Sequence, residues 1–128
     1  MRRRPGFTLI ELLIVVVVIG VLASIAVAQF DSSRQRAHYA VLRADLAHLV
    51  LHQELHYHTY GRFGDLSELS GVVITEGVSA EVTWVGTDGF ATTLGHVALP
   101  GVECGYFTGN APEGAAGPAV AAGSLACE

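Results

Sequence analysis

The hydrophobic pattern divides the chain into two unlike parts. From Leu12 to Ala28 every residue except Gly20 and Ser24 is apolar. With Phe7–Ile10 added, the run reaches about the 20 residues that cross a bilayer core as a helix. Asp31, Ser32 and Ser33 mark its exit. Beyond them Leu42, Leu46, Leu49, Gln53, Tyr57 and Tyr60 fall on one helical face at about 100° per residue. Arg34, Arg36, Arg43 and Asp45 fall on the more polar sides. No proline lies between Phe7 and Pro100, and Gly61 is the expected stop. A helix unbroken from Phe7 to His58 would be about 78 Å long. A domain of this size needs no such rod, so the apolar half must find its partners in lipid or in other copies of the chain.

After Gly61 the period shortens. Arg62–Ser70 reads as a loop or short turn, with Phe63, Leu66 and Leu69 available to pin it. Val72–Thr75 is β-branched, and Glu81–Val85 alternates with Val82 and Trp84 on one side. Gly86–Gly89 is a hairpin signal, Phe90–Val97 returns with Phe90, Thr92, Leu94 and His96 alternating, and Val102–Thr108 is the last strand. The pattern predicts an α+β fold, with an antiparallel sheet of three or four strands packed against the outer half of the long helix. Trp84 and Phe90 are expected in its core.

Composition narrows the function. At 128 residues there is room for one small domain, and the 51% hydrophobic share is inflated by the apolar run. Net charge is −5 and there is no lysine, so the chain is a poor electrostatic match for nucleic acid. No nucleophile triad, P-loop, dinucleotide glycine pattern or paired carboxylates stand out, and the expectation is a protein that is not an enzyme. No cofactor is implied. The acids Asp65, Glu68, Asp88 and Glu103 are scattered without an alternating Asp-x-Asp run, so no calcium site is expected.

One carboxylate breaks the apolar run. Glu11 lies within it, directly behind Arg2, Arg3, Arg4 and the helix-breaking junction Pro5-Gly6. A charge in hydrocarbon costs about 2.5–3.5 kcal/mol even on insertion scales, so such a residue is by default functional and paired. The arginines should stay cytoplasmic and orient the rest of the chain outward. Cleavage after Gly6 would create an α-amino group on Phe7, four residues from Glu11. That amine is the natural counterion, within one chain or between neighbours.

The segment GFTLIELL resembles the leader-and-helix motif of type IV pilins and of the pseudopilins of type II secretion. Gly6, Phe7, Thr8, Leu9, Glu11 and Leu12 stand where that motif has them. The resemblance implies cleavage between Gly6 and Phe7 by a prepilin peptidase, N-methylation of Phe7, and packing of helices into a filament core where Glu11 meets a neighbour's amine. It implies a leader at 1–6, a transmembrane and filament-core helix at 7–30, and a globular head at 31–128. The implied partners are further copies of the chain, the peptidase, the pilus or secretion assembly machinery and the inner membrane, without nucleic acid. Storage would be as a single-pass protein of the bacterial inner membrane, followed by a filament at the cell surface or in the periplasm. The nearest alternative is a pseudopilin of a secretion or DNA-uptake system. From another class, the alternative is a single-span membrane protein whose outer domain binds a ligand or metal. Many pilins carry a proline where this chain has Ala28, while Gly20 matches a glycine at which the helix loosens in filaments; less melting between these residues is expected here.

Two further groups carry chemistry. Cys104 and Cys127 are the only cysteines, and in an exported chain an even pair reads as a disulfide. It would staple a glycine-, proline- and alanine-rich loop, and the resemblance to pilins, in which such a disulfide commonly bounds a variable surface region, implies Asn110–Ser124 as the candidate for solvent or partner contact. His48, His52 and His56 are successive i, i+4 neighbours on the helix, flanked by His38 and His58. They read as a flank packed on the sheet or an adjacent subunit, as weak metal ligands, or as groups that respond to mild acid.

Overall fold

The computed structural model describes residues 6–128, so Arg2–Arg4 and Pro5 of the expected leader lie outside the described residues. One helix, α1 (Leu9–Tyr60), is followed by four strands: β1 (Val78–Val85), β2 (Phe90–His96), β3 (Glu103–Phe107) and β4 (Ala126–Cys127). The strands form one antiparallel sheet in the order β1-β2-β3-β4. The fold is thus the α+β arrangement expected from the sequence. The chain divides into two compact units after Arg34.

In the N-terminal unit every residue from Gly6 to Asp31 is exposed. Helix formation there is permitted by the absence of proline, and the serine hydroxyls are satisfied by their own backbone. Ser24 Oγ donates to the Val21 carbonyl at 2.7 Å and Ser33 Oγ to that of Gln29 at 2.9 Å, which removes free hydroxyls from an apolar surface. The helix runs unbroken through Gly20 and Ala28. By length and composition it can cross a membrane.

In the C-terminal unit, Leu42, Leu46 and Leu49 are fully buried against Phe90, Leu94 and Cys104. Gln53 joins them, as the helical period requires. Tyr57 and Tyr60 do not: they are 38% and 67% exposed, and Asp45 and His56 are buried in their stead. Tyr57 stacks on Phe63 and Tyr60 leans on His56, so both rings cover the core from its edge. At Gly61 the chain turns into the left-handed region (φ 70°), its N–H donating to the Tyr57 carbonyl, and α1 ends as predicted.

The buried polar residues explain the connector. Gln53 clasps Gly64 at both ends: its Nε2 donates to the Gly64 carbonyl at 2.6 Å and its Oε1 accepts from the Gly64 N–H at 3.1 Å. Asp45 accepts from Thr75 N at 2.9 Å and Thr75 Oγ1 at 3.0 Å. Val72–Thr75 is therefore not a strand, despite its β-branched composition. Its last N–H is bound to a helix carboxylate rather than to a sheet ladder, and β1 begins only at Val78. Phe63 and Leu69 are buried as pins, and Leu66 is half-buried.

Strand β2 is buried on both faces. Phe90 and Leu94 join the main core, whereas Ala91 faces the other side, where it packs with Ala116 and Ala119 of the C-terminal loop. Val82 pairs with Thr92 but Trp84 pairs with Ala91. Cross-strand partners share a face, so an irregularity at Thr83 sends Trp84 to the loop side and separates it from Val82. Trp84 is half-buried there, outside the main core. A bulge is invisible to a period-two reading of the sequence.

Candidate functional site

The N-terminus of α1 is built by a reciprocal cap. Thr8 precedes the first helical residue, and Glu11 stands three residues later. The Glu11 carboxylate accepts from the Thr8 N–H at 2.8 Å and the Thr8 hydroxyl at 2.6 Å, while Glu11 N donates back to Thr8 Oγ1 at 3.3 Å. This is a capping box, in which two otherwise unpaired N–H groups at the helix start are satisfied reciprocally. Its signature, Thr-x-x-Glu before an apolar run, was available in the sequence and is distinct from the charge argument. Acidic charge also complements the positive end of the helix dipole. The carboxylate therefore sits on the backbone N–H next after that of Phe7, with Phe7 itself exposed.

At the other end of the chain, Cys104 and Cys127 are directly opposed in the β3–β4 ladder and joined by a disulfide. Glu103 and Glu128 exchange both backbone hydrogen bonds beside it. The enclosed loop does not stand away from the domain. It folds back over the outer face of the sheet, burying Ala116 and Ala119 and leaving Val120 exposed. Gly105 makes this possible: a Cβ there would collide with the Ala116 carbonyl. Thr83 Oγ1 donates to the Ala115 carbonyl, tying the loop to β1. Asn110 Nδ2 donates to Asp88 Oδ2 at 2.6 Å, tying it to the β1–β2 hairpin.

The histidine stripe is split. Steps of four residues advance about 40° around a helix, so the stripe spirals toward the sheet: His48 is exposed, His52 half-buried and His56 buried. The Nε2 atoms of His48 and His52 lie 3.3 Å apart. His56 is drawn into the core margin beside Gly64 and Glu68, and its Nε2 is buried without a hydrogen-bond partner. The remaining pair, His38 and His96, is in ring contact at 4.3 Å.

The scattered acids stay apart. Glu68 takes a two-pronged ion pair from Arg62, at 2.6 and 3.0 Å, and also accepts from Asp65 N. The Arg62 hydrogen bonds, helped by that backbone donor, hold its carboxyl down at about 2 and hold the Arg62 guanidinium above its ordinary value. Asp88 is engaged by Asn110, and Glu103 lies beside Gly117. Among the described residues no group of three or more His, Cys, Asp or Glu is placed to hold a metal ion.

Comparison with known proteins bears on the N-terminal half. Residues 1–27 match the prokaryotic N-terminal methylation motif. The chain is 43% identical over 56 residues to the type IV wide pilus major component PilA4 of Thermus thermophilus, across 44% of this chain and 43% of that protein. It is 36% identical over 69 residues to the type IV major pilin protein PilA of Myxococcus xanthus, across 54% of this chain and 31% of that one. The chain spans less than half the length of the curated relatives it matches.

Proposed function

We propose, from an N-terminal segment that matches the prokaryotic N-terminal methylation motif and from partial similarity to type IV major pilins, a structural subunit of a pilus-like filament, held in the inner membrane before assembly and polymerised through α1. The observation that carries the proposal is a fully exposed apolar helix surface from Leu9 to Phe30 with one carboxylate, Glu11, at its start. Exposed apolar surface of that extent is stable in lipid or against other copies, and in both settings a carboxylate needs a partner. In the precursor, Thr8 supplies the hydrogen bonds. After cleavage between Gly6 and Phe7, the methylated amine of Phe7 supplies the opposite charge.

An intrachain contact leaves one carboxylate and one amine per subunit locally balanced. A contact from Glu11 to the Phe7 amine of the next subunit sets the axial register of one helix against another, which apolar packing alone leaves loosely defined. The outer domain contributes surface: the disulfide-bounded loop decorates the filament, and the role is structural rather than catalytic. Both named relatives are pilus major components, which favours a pilus over a short secretion pseudopilus. Mass spectrometry of the chain from membranes with and without a prepilin peptidase tests the processing step. The expected product starts at Phe7 and carries one added methyl group; a chain that keeps residues 1–6 with the peptidase present would overturn the proposal.

A further inference from the structure

The structure assigns a second kind of site to the C-terminal unit: we propose that His48 and His52 form a two-imidazole clamp for a divalent transition-metal ion, Cu2+ or Zn2+. The pair lies in the unit that begins at Gln35. Both residues project from the same side of α1, one turn apart, and the helix fixes their spacing. Their Nε2 atoms are 3.3 Å apart while the ring centroids are 4.6 Å apart, so the nitrogen-bearing edges face each other. Two metal–imidazole bonds of about 2.0–2.1 Å at a tetrahedral angle require donors about 3.3–3.4 Å apart. The helix thus presents two donors at the separation a single ion needs.

Without an ion, the contact between the two nitrogens is a single hydrogen bond, with the donor set by the tautomer. Neither ring makes another hydrogen bond among the described residues. A cation replaces that one bond with two coordinate bonds, and the exposure of His48 leaves the remaining positions open to water. His56 is not a third ligand, because the 40° advance per step has carried it under the connector beside Gly64 and Glu68. Imidazole donors without thiolate select Cu2+ and Zn2+ over calcium or magnesium, and Cu2+ is favoured among the divalent first-row ions.

The test uses the full-length chain in detergent micelles near neutral pH, titrated with Cu2+ alone. One ion per chain is expected, with a paramagnetic resonance spectrum showing two equivalent-type nitrogen donors. His48→Ala, which alters only an exposed side chain, should weaken binding on the order of a hundredfold by removing the chelate. The double variant H48A/H52A should abolish the two-nitrogen signature, whereas His58→Ala should leave both stoichiometry and spectrum unchanged. Circular dichroism matching the parent identifies each variant as folded. Copper binding that survives in the double variant, or a spectrum with a single nitrogen donor in the parent, would overturn the assignment.

Discussion

Three charged side chains do different work because their surroundings differ. Glu11 is exposed, shares hydrogen bonds with Thr8 and lies in an apolar segment. Replacing it with Ala should leave membrane insertion intact, remove the cap and lower filament yield by about tenfold or more; quantifying sheared filaments against membrane-held chain reads this. Asp45 is buried and holds Thr75 by two hydrogen bonds. Asp45→Ala removes two part-buried hydrogen bonds to Thr75 and should cost about 1–3 kcal/mol in denaturant unfolding, with Asp45→Asn costing less because one acceptor remains. Glu68 is exposed, and its pairing with Arg62 depresses its carboxyl to about 2. A depressed carboxylate stabilises the fold above its ordinary value near 4.5, and that contribution is lost as pH falls toward about 2. Glu68→Gln should therefore lower Tm modestly in the neutral range, where the contribution is fully present, and flatten its decline over that acid window so that variant and parent converge near pH 2.

At the scale of elements, the sequence was most readable where one period persisted. The leucines of α1, the helix stop at Gly61, the hairpin and the three main strands were legible because burial on one side imposes a repeat. Legibility failed where a polar side chain or an irregularity intervened. Val72–Thr75 has strand composition, but Asp45 captures its final N–H. Trp84 alternates correctly with Val82 on paper, and the bulge at Thr83 moves it to the opposite face. Tyr57 and Tyr60 have the right phase, yet they act as edge covers because phase alone does not say where along the helix the sheet lies. The two-residue strand β4 is too short to carry a pattern; its position follows from the disulfide to Cys104. The core supplies a direct check: Leu46→Ala, at a fully buried contact, should cost about 2–5 kcal/mol.

The C-terminal loop depends on the same logic from the other side. It lies flat because the outer face of the sheet offers Ala91 and Gly105, and the disulfide closes its ends. Cys104→Ser with Cys127→Ser should lower stability by about 2–4 kcal/mol, chiefly through the freed loop. Gly105→Ala should release the loop from the sheet while the disulfide remains intact, which hydrogen exchange at Ala116 and Ala119 would read as lost protection.

For the whole molecule, two units answer two solvents. The unit beyond Arg34 buries its own core. The apolar helix before it buries nothing, so its stable states lie in lipid or in a bundle of identical helices, and under the proposed function processing at Gly6–Phe7 would convert one into the other. The retained Gly20 and the Ala28 in place of proline predict that this bundle keeps α1 largely helical, since a proline costs about 3 kcal/mol in a helix interior and a glycine about 1. The central claim is thus an interchain contact at the filament axis. A high-resolution electron cryomicroscopy reconstruction of sheared filaments reads it directly. The account predicts subunits that begin at Phe7, with Leu9–Phe30 packed at the centre and each Glu11 carboxylate against the Phe7 amine of a neighbour. Filaments in which Glu11 faces solvent, or in which density for Met1–Gly6 remains attached, would contradict it.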